Sequence, residues 1–226
     1  MNLANCAKCP TAYCESASFE NLDKGFLPKN CPIRTHPQMI KAAIQRYNES
    51  AVKKLYIPAT ITEKEAYECV RGVVMAVRPR VKELVEFAKL LNYKRIGVAF
   101  CAGLRDEASR LARFLEGQGF TVASAVCKCG AVDKTKLGIE KKHKIGSPKK
   151  FESACNPILQ AQLLNDAEVE INVIVGLCVG HDMLFTMNSQ APVTTLIVKD
   201  RVLGHNPLIA LYSSYQQETI KSQRRI

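Results

Sequence analysis

Residues 95–126 read RIGVAF, CAG, LRDEASRLARFLEGQG, F and TVASAV in succession. Ile96 to Phe100 and Thr121 to Val126 are short apolar runs with β-branched residues, and Leu104 to Glu116 between them is an amphipathic helical stretch. Gly117 and Gly119 are placed to stop that helix. A strand, a helix and a second strand of this kind form a βαβ unit, whose two strands must run parallel. Working outward, Ile171 to Leu177 and Val193 to Val198 are further β-branched runs, with helical stretches at Pro157 to Leu164 and after His181. The expected fold is α/β over residues 93–226: a small, mostly parallel sheet with helices on both faces.

Upstream the pattern differs. Residues 36–92 read as a helical segment. Pro37 suits a helix start, and Met39, Ile40, Ala43, Ile44 and Tyr47 keep helical spacing. Thr62, with Glu65 three residues on, is expected to open a second helix through a capping box. Ala66, Cys69, Val70, Val73, Val74 and Val77 would continue its stripe, with Cys69 in the core. Arg78-Pro79-Arg80 breaks that helix, and a third runs from Val81 to Leu91. Residues 1–35 form a cysteine-rich knot, with four cysteines, three prolines and little apolar bulk. Such a segment needs something besides packing to hold it.

The 226 residues carry 32 Lys+Arg against 21 Asp+Glu, ten cysteines, no tryptophan and 47% hydrophobic residues. That composition excludes disorder, collagen and coiled coil. The longest apolar stretch, Ile171 to Val179, falls short of the roughly 18 residues that span a membrane. The start, MNLANCAKCP, has no basic region followed by an apolar one. A cytoplasmic location is therefore expected. In that compartment the cysteines should be thiols or metal ligands.

The cysteines form two sets. Cys6, Cys9, Cys14 and Cys31 have the spacing C-x2-C-x4-C-x16-C, suited to a tetrathiolate metal centre. Either zinc or a [4Fe–4S] cluster accepts such a set. Cys101, Cys127, Cys129 and Cys178 each follow an expected strand, and Cys155 opens the helix at CNP. The carboxyl ends of parallel strands converge on one crevice, so these cysteines are expected to meet there and share a second cluster. Nearby, His181, Asp182 and Lys199 are candidate catalytic groups, for moving protons or holding an anion, and Asp200 and His205 are candidate cofactor-holding groups. Arg201 is assigned to a surface ion pair. No P-loop and no dinucleotide fingerprint is present.

The charge is concentrated. Lys128 to Lys150 holds eight lysines against Asp133 and Glu140, +6 of the net +11. This stretch is expected to be a mobile loop over the site, drawing an acidic electron carrier or a small anionic substrate. Nucleic acid is disfavoured as a partner, because no aromatic residue lies within the lysine-rich stretch to stack on bases.

CKCG at 127–130, CNPILQAQLLN at 155–165, GLCVGHDMLF at 176–185, APVTTLIVKDRVLGHNP at 191–207 and the N-terminal C-x2-C-x4-C resemble a family of cysteine-rich proteins of anaerobic bacteria and archaea. It is domain-of-unknown-function family 1847, labelled metal-binding. The resemblance covers nearly the whole chain. It implies metal binding and an anaerobic host, with no settled activity. The expectation is thus an iron–sulfur protein with one or two [4Fe–4S] clusters. The first centre would serve structure or electron transfer. The second would allow redox or desulfidation-type catalysis, of oxidoreductase or lyase type, on a small molecule. The alternative is a non-enzymatic zinc module for metal sensing, storage or delivery. A thiol redox protein ranks third, because Cys127 and Cys129 lack C-x-x-C spacing.

Overall fold

The computed structural model describes residues 3–10, 12–15 and 27–221. Parts of the expected knot, at 1–2, 11 and 16–26, lie outside the described residues. Contacts divide the chain into two units, Met1–Ile61 and Thr62–Ile226.

In the first unit, single 3-10 turns at Cys6–Lys8 and Tyr13–Glu15 precede α1 (Pro32–Thr35), α2 (Pro37–Arg46) and most of α3 (Ser50–Glu65). Pro37 stands at the first position of α2, where its missing N–H costs nothing. The Tyr47 and Tyr56 rings meet with centroids 4.5 Å apart.

The second unit opens with a departure from the expected helix. Thr62 and Glu65 lie in the last turn of α3 and do not begin a new helix. The valine-rich stretch after them forms an antiparallel hairpin of β1 (Tyr67–Val70) and β2 (Val73–Ala76). Arg71 and Gly72 make its two-residue turn, with φ of 52° and 80°. Positive φ at both central residues suits the right-handed twist of the paired strands, and valine packs better in strands than in helices. Cys69 is therefore an exposed strand residue opposite Val74, not a core one.

The expected break at Pro79 separates β2 from α4 (Arg80–Leu90). The sheet then follows: β3 (Arg95–Phe100), α5 (Arg105–Gly117), β4 (Thr121–Val126), α6 (Pro157–Asp166), β5 (Ile171–Val175), α7 (His181–Asn188) and β6 (Val193–Ile197). Short helices α8 (Ile209–Tyr212) and α9 (Ser214–Lys221) complete the described chain. The four strands are all parallel, in the order β4-β3-β5-β6. Alternate residues of β3 and β5 feed two cores. Ile96, Val98, Ile171 and Val173 pack with Leu84, Leu111 and Leu115 of α4 and α5. Ala99 and Ile174 pack on the other face with Ala161, Leu164 and Phe185 of α6 and α7. Helices thus cover both faces.

One close approach fixes the middle of the sheet. A Cβ at Gly97 would stand 2.0 Å from the Asn172 Oδ1 across the β3–β5 pair. The fully buried Asn172 donates from Nδ2 to Ser189 Oγ at 2.7 Å.

The strand order also locates a ligand site. From β3 the chain winds one way to β4, and from β4 it returns past β3 to β5. At that reversal the connections leave on opposite faces, opening a crevice beyond the carboxyl ends of β3 and β5.

Candidate functional site

Cys101 follows β3, Cys127 follows β4, and Cys178 lies three residues beyond β5. The sheet's own hydrogen bonds place the first two. The Cys101 N–H donates to Val175 O at 3.1 Å, and the Cys127 N–H donates to Phe100 O at 2.8 Å. The ladder continues into the cysteines, so their backbones are as fixed as the strands.

Cys155 arrives by a different route. The lysine-rich excursion after Cys129 closes on itself at its base. Ala154 N–H donates to Val132 O at 2.8 Å, and Lys134 N–H to Glu152 O at 3.0 Å. An antiparallel bridge joins Asp133 and Ser153. The Lys128 ammonium donates to Ser153 O, and Asn156 N–H to Cys127 O at 2.7 Å. Asn156 then caps α6, its Oδ1 accepting from Leu159 N–H at 3.1 Å. The closed neck brings Cys155 beside Cys127.

The loop expected to be mobile is tied together internally. Asp133 accepts from the Lys144 ammonium at 2.8 Å, from Thr135 N–H at 2.9 Å and from Glu152 N–H at 2.9 Å. Lys144 holds the Asp133 carboxyl far below the usual carboxylate range, with the Glu152 and Thr135 donors adding to the effect. Lys134 pairs with Glu152 at 2.5 Å and lowers that carboxyl too.

The thiols of the crevice act on one another. Cys127 is 2% exposed, and its sulfur accepts Ala102 N–H at 3.3 Å. Cys127 and Cys155 share a hydrogen bond that favours charge on Cys155, bringing it down to about 7 against the cost of burial, with help from the Lys128 charge. The same bond, with burial, pushes Cys127 strongly up. Cys101 also hydrogen-bonds Cys127, and charge on Cys178 or Cys101 would oppose ionisation of Cys155. Burial raises the Cys129 thiol, charge on Cys127 would raise it further, and the thiol donates to Asn156 O at 3.8 Å.

The other expected residues take varied places. His181 and Asp182 start α7, and their N–H groups donate to Cys178 O at 2.9 and 3.1 Å. His181 Nδ1 is buried and, among the described residues, has no hydrogen-bond partner. The Asp182 carboxylate accepts Met183 N–H at 2.8 Å. Lys199 reaches the turn after Cys101, its Nζ 3.3 Å from where a Cβ on Gly103 would be. Asp200 and His205 clasp each other around one turn. Asp200 N–H donates to His205 Nδ1 at 3.1 Å, His205 N–H donates to Asp200 O at 2.9 Å, and Asp200 Oδ1 accepts Val202 and Leu203 N–H groups.

In the first unit, Cys6, Cys9, Cys14 and Cys31 all line one hollow of about 520 Å³, together with Pro10, Pro28, Asn30 and Pro32. The Cys9 N–H donates to Cys6 O at 3.0 Å, curling the C-x2-C pair into a single turn. Cys31 caps α1, with Pro32 at the first helical position. All ten cysteines are thiols. As the side chains stand, no group of three or more His, Cys, Asp or Glu among the described residues is arranged to hold a metal ion.

Residues 31–196 match the family described as "Protein of unknown function (DUF1847)". The chain belongs to this family. An uncharacterised protein of Methanocaldococcus jannaschii is 46% identical over 155 residues, 69% of this chain and 77% of the relative. No solved structure matches. The DUF1847 match takes in Cys31 and all five crevice cysteines, and stops before Lys199. No helix of the described DUF1847 chain is long and apolar enough to cross a membrane.

Three residues at the crevice escaped the sequence reading. Arg201, expected in a surface ion pair, donates from Nη2 to Cys178 Sγ at 2.8 Å. Lys128 sits in the neck and biases Cys155. Gln160, fully buried on α6, donates from Nε2 to Phe100 O at 3.3 Å and Ala125 O at 2.7 Å, tying together the strand ends that carry Cys101 and Cys127.

Proposed function

We propose that this DUF1847 protein is a cysteine-ligated metalloprotein, cytoplasmic, and that it carries its metal as iron–sulfur clusters. The observation that carries the reading is the mutual interaction of four thiols, Cys101, Cys127, Cys155 and Cys178, delivered by the three connections after β3, β4 and β5 to the carboxyl edge of a parallel sheet. The donor set fits the group. Soft thiolates are what iron–sulfur clusters and zinc select, and Cys155 is already inclined to lose its proton. Cys6, Cys9, Cys14 and Cys31 would hold a second, structural or electron-transfer centre around their hollow.

Held by three sulfurs, a crevice cluster would supply an open iron for Lewis-acid, redox or desulfidation-type chemistry on a small molecule. His181, with its buried Nδ1, would move a proton there, and Lys199 beside the Cys101 turn would hold a negatively charged substrate group. The lysine loop would draw an acidic electron carrier.

The test is iron, zinc and acid-labile sulfide per chain after purification and reconstitution without air. Iron and sulfide in equal amounts, with a visible band bleached by dithionite, support the reading. A colourless protein with stoichiometric zinc and no sulfide overturns it. That outcome is the second reading, a zinc module for metal sensing, storage or delivery, which the four-thiol hollow favours because structural zinc takes such closed sets.

A further inference from the structure

Arg201 donates to a sulfur, where a carboxylate would be its ordinary partner. Its Nη2 lies 2.8 Å from Cys178 Sγ, well within hydrogen-bond reach of a sulfur acceptor. Among the described residues no carboxylate forms an ion pair with Arg201, so nothing draws the guanidinium away. The segment that bears it is held from behind. Asp200 turns the other way, accepts the N–H groups of Val202 and Leu203, and is clasped by His205. These bonds hold Asp200 and His205 within the turn itself. On the near side of Asp200, Lys199 reaches to Gly103, past Cys101. The chain after β6 is therefore a cationic strap, anchored by Asp200 and His205, that sets one charge beside the Cys101 turn and one on the Cys178 sulfur.

We propose that Arg201 is a positioning residue of the crevice centre, fixing the Cys178 sulfur and tuning the electron affinity of whatever cluster that sulfur binds. This rests on the cluster reading of the crevice. A cation donating a hydrogen bond to a ligand sulfur withdraws electron density from it. The reduced cluster, one electron more negative, gains most from that donor, so the reduction potential rises. Partners of this kind, outside the metal's own ligands, are where proteins set potential and ligand orientation.

The experiment compares the full-length wild-type protein with Arg201→Met and Arg201→Lys, each reconstituted anaerobically with ferrous iron and sulfide. The readouts are iron and sulfide per chain and midpoint potentials by dye-mediated titration. The expected result is unchanged iron and sulfide, with one potential shifted to a more negative value in Arg201→Met and partly restored in Arg201→Lys. Any second potential, belonging to the Cys6/Cys9/Cys14/Cys31 centre, stays where it was. Unchanged potentials in all three proteins overturn the proposal. So does equal loss of iron in both variants, which would make Arg201 a structural prop with no tuning role. Failure of the wild type itself to take up iron and sulfide brings down the cluster reading, and is distinguishable because it appears before any variant is compared.

Discussion

At the scale of single residues, the crevice divides its thiols by environment. Cys127 is buried between Ala102 N–H and its sulfur neighbours and is held protonated, while Cys155 is brought down to about 7 by the bond from Cys127. Only the thiolate attacks an alkylating reagent. In metal-free protein, iodoacetamide should therefore modify Cys155 before Cys127. Its rate should rise through about pH 7, where the thiolate fraction passes one half. Mass spectrometry of timed digests across pH checks this, and a first label on Cys127 would contradict it. Gly97 gives a second prediction. A methyl there meets Asn172 Oδ1 at 2.0 Å, and that oxygen belongs to a buried side chain held by Ser189. Gly97→Ala should cost roughly 1–3 kcal/mol, measured by chemical denaturation, because the packed sheet has little room to shift.

Among the elements, the lysine loop and the hairpin separate what spacing reveals from what it hides. Asp133 organises the loop, and its folded-state acidity is far stronger than that of a free carboxyl. A carboxyl depressed on folding contributes stability that is fully present above its unfolded value, about 3.9, and is lost as pH falls below that. The Thr135 and Glu152 amides, which donate to Asp133, should keep their hydrogen-exchange protection from neutral pH down to about 4 and lose it in stronger acid. Asp133→Asn should lower that protection at neutral pH as well.

The central strands β3 and β5 were legible because burial on both faces makes each a short apolar run, and the partly buried edge strands β4 and β6 because each is a short run that keeps its β-branched residues. The hairpin was not. Ala66, Cys69, Val70, Val73 and Val77 satisfy a helical spacing by coincidence, and the cue that mattered was Arg71-Gly72 between Val70 and the pair Val73-Val74. The convergence of Cys101, Cys127 and Cys178 could be read from strand ends alone. Cys155 was expected there from its place at the CNP helix start, but the route was hidden, since it depends on residues 132–134 pairing with 152–154 across the whole excursion. The roles of Asp200 and His205 were equally hidden: a turn clasp and a cofactor contact use the same residue types.

For the whole molecule, the two units each carry one set of cysteines, so the two centres should be separable. Cys14→Ala and Cys178→Ala should each remove about half of the bound iron and sulfide, with no effect on the other half. Elemental analysis of the two variants beside the wild type decides it. Loss of all the metal from either variant would mean one shared centre.

The neck between Cys129 and Cys155 has a further consequence for how such a chain can change. Its backbone bonds and the Lys128–Ser153 contact seal the loop below its tip. Loop-closure entropy grows only slowly with length once the ends are joined. Residues Gly138 to His143, all of them exposed, can therefore vary in number without moving a sulfur. That tip is an insertion port. An epitope or a fluorescent reporter spliced there should leave the thiols at the base of the loop in their places.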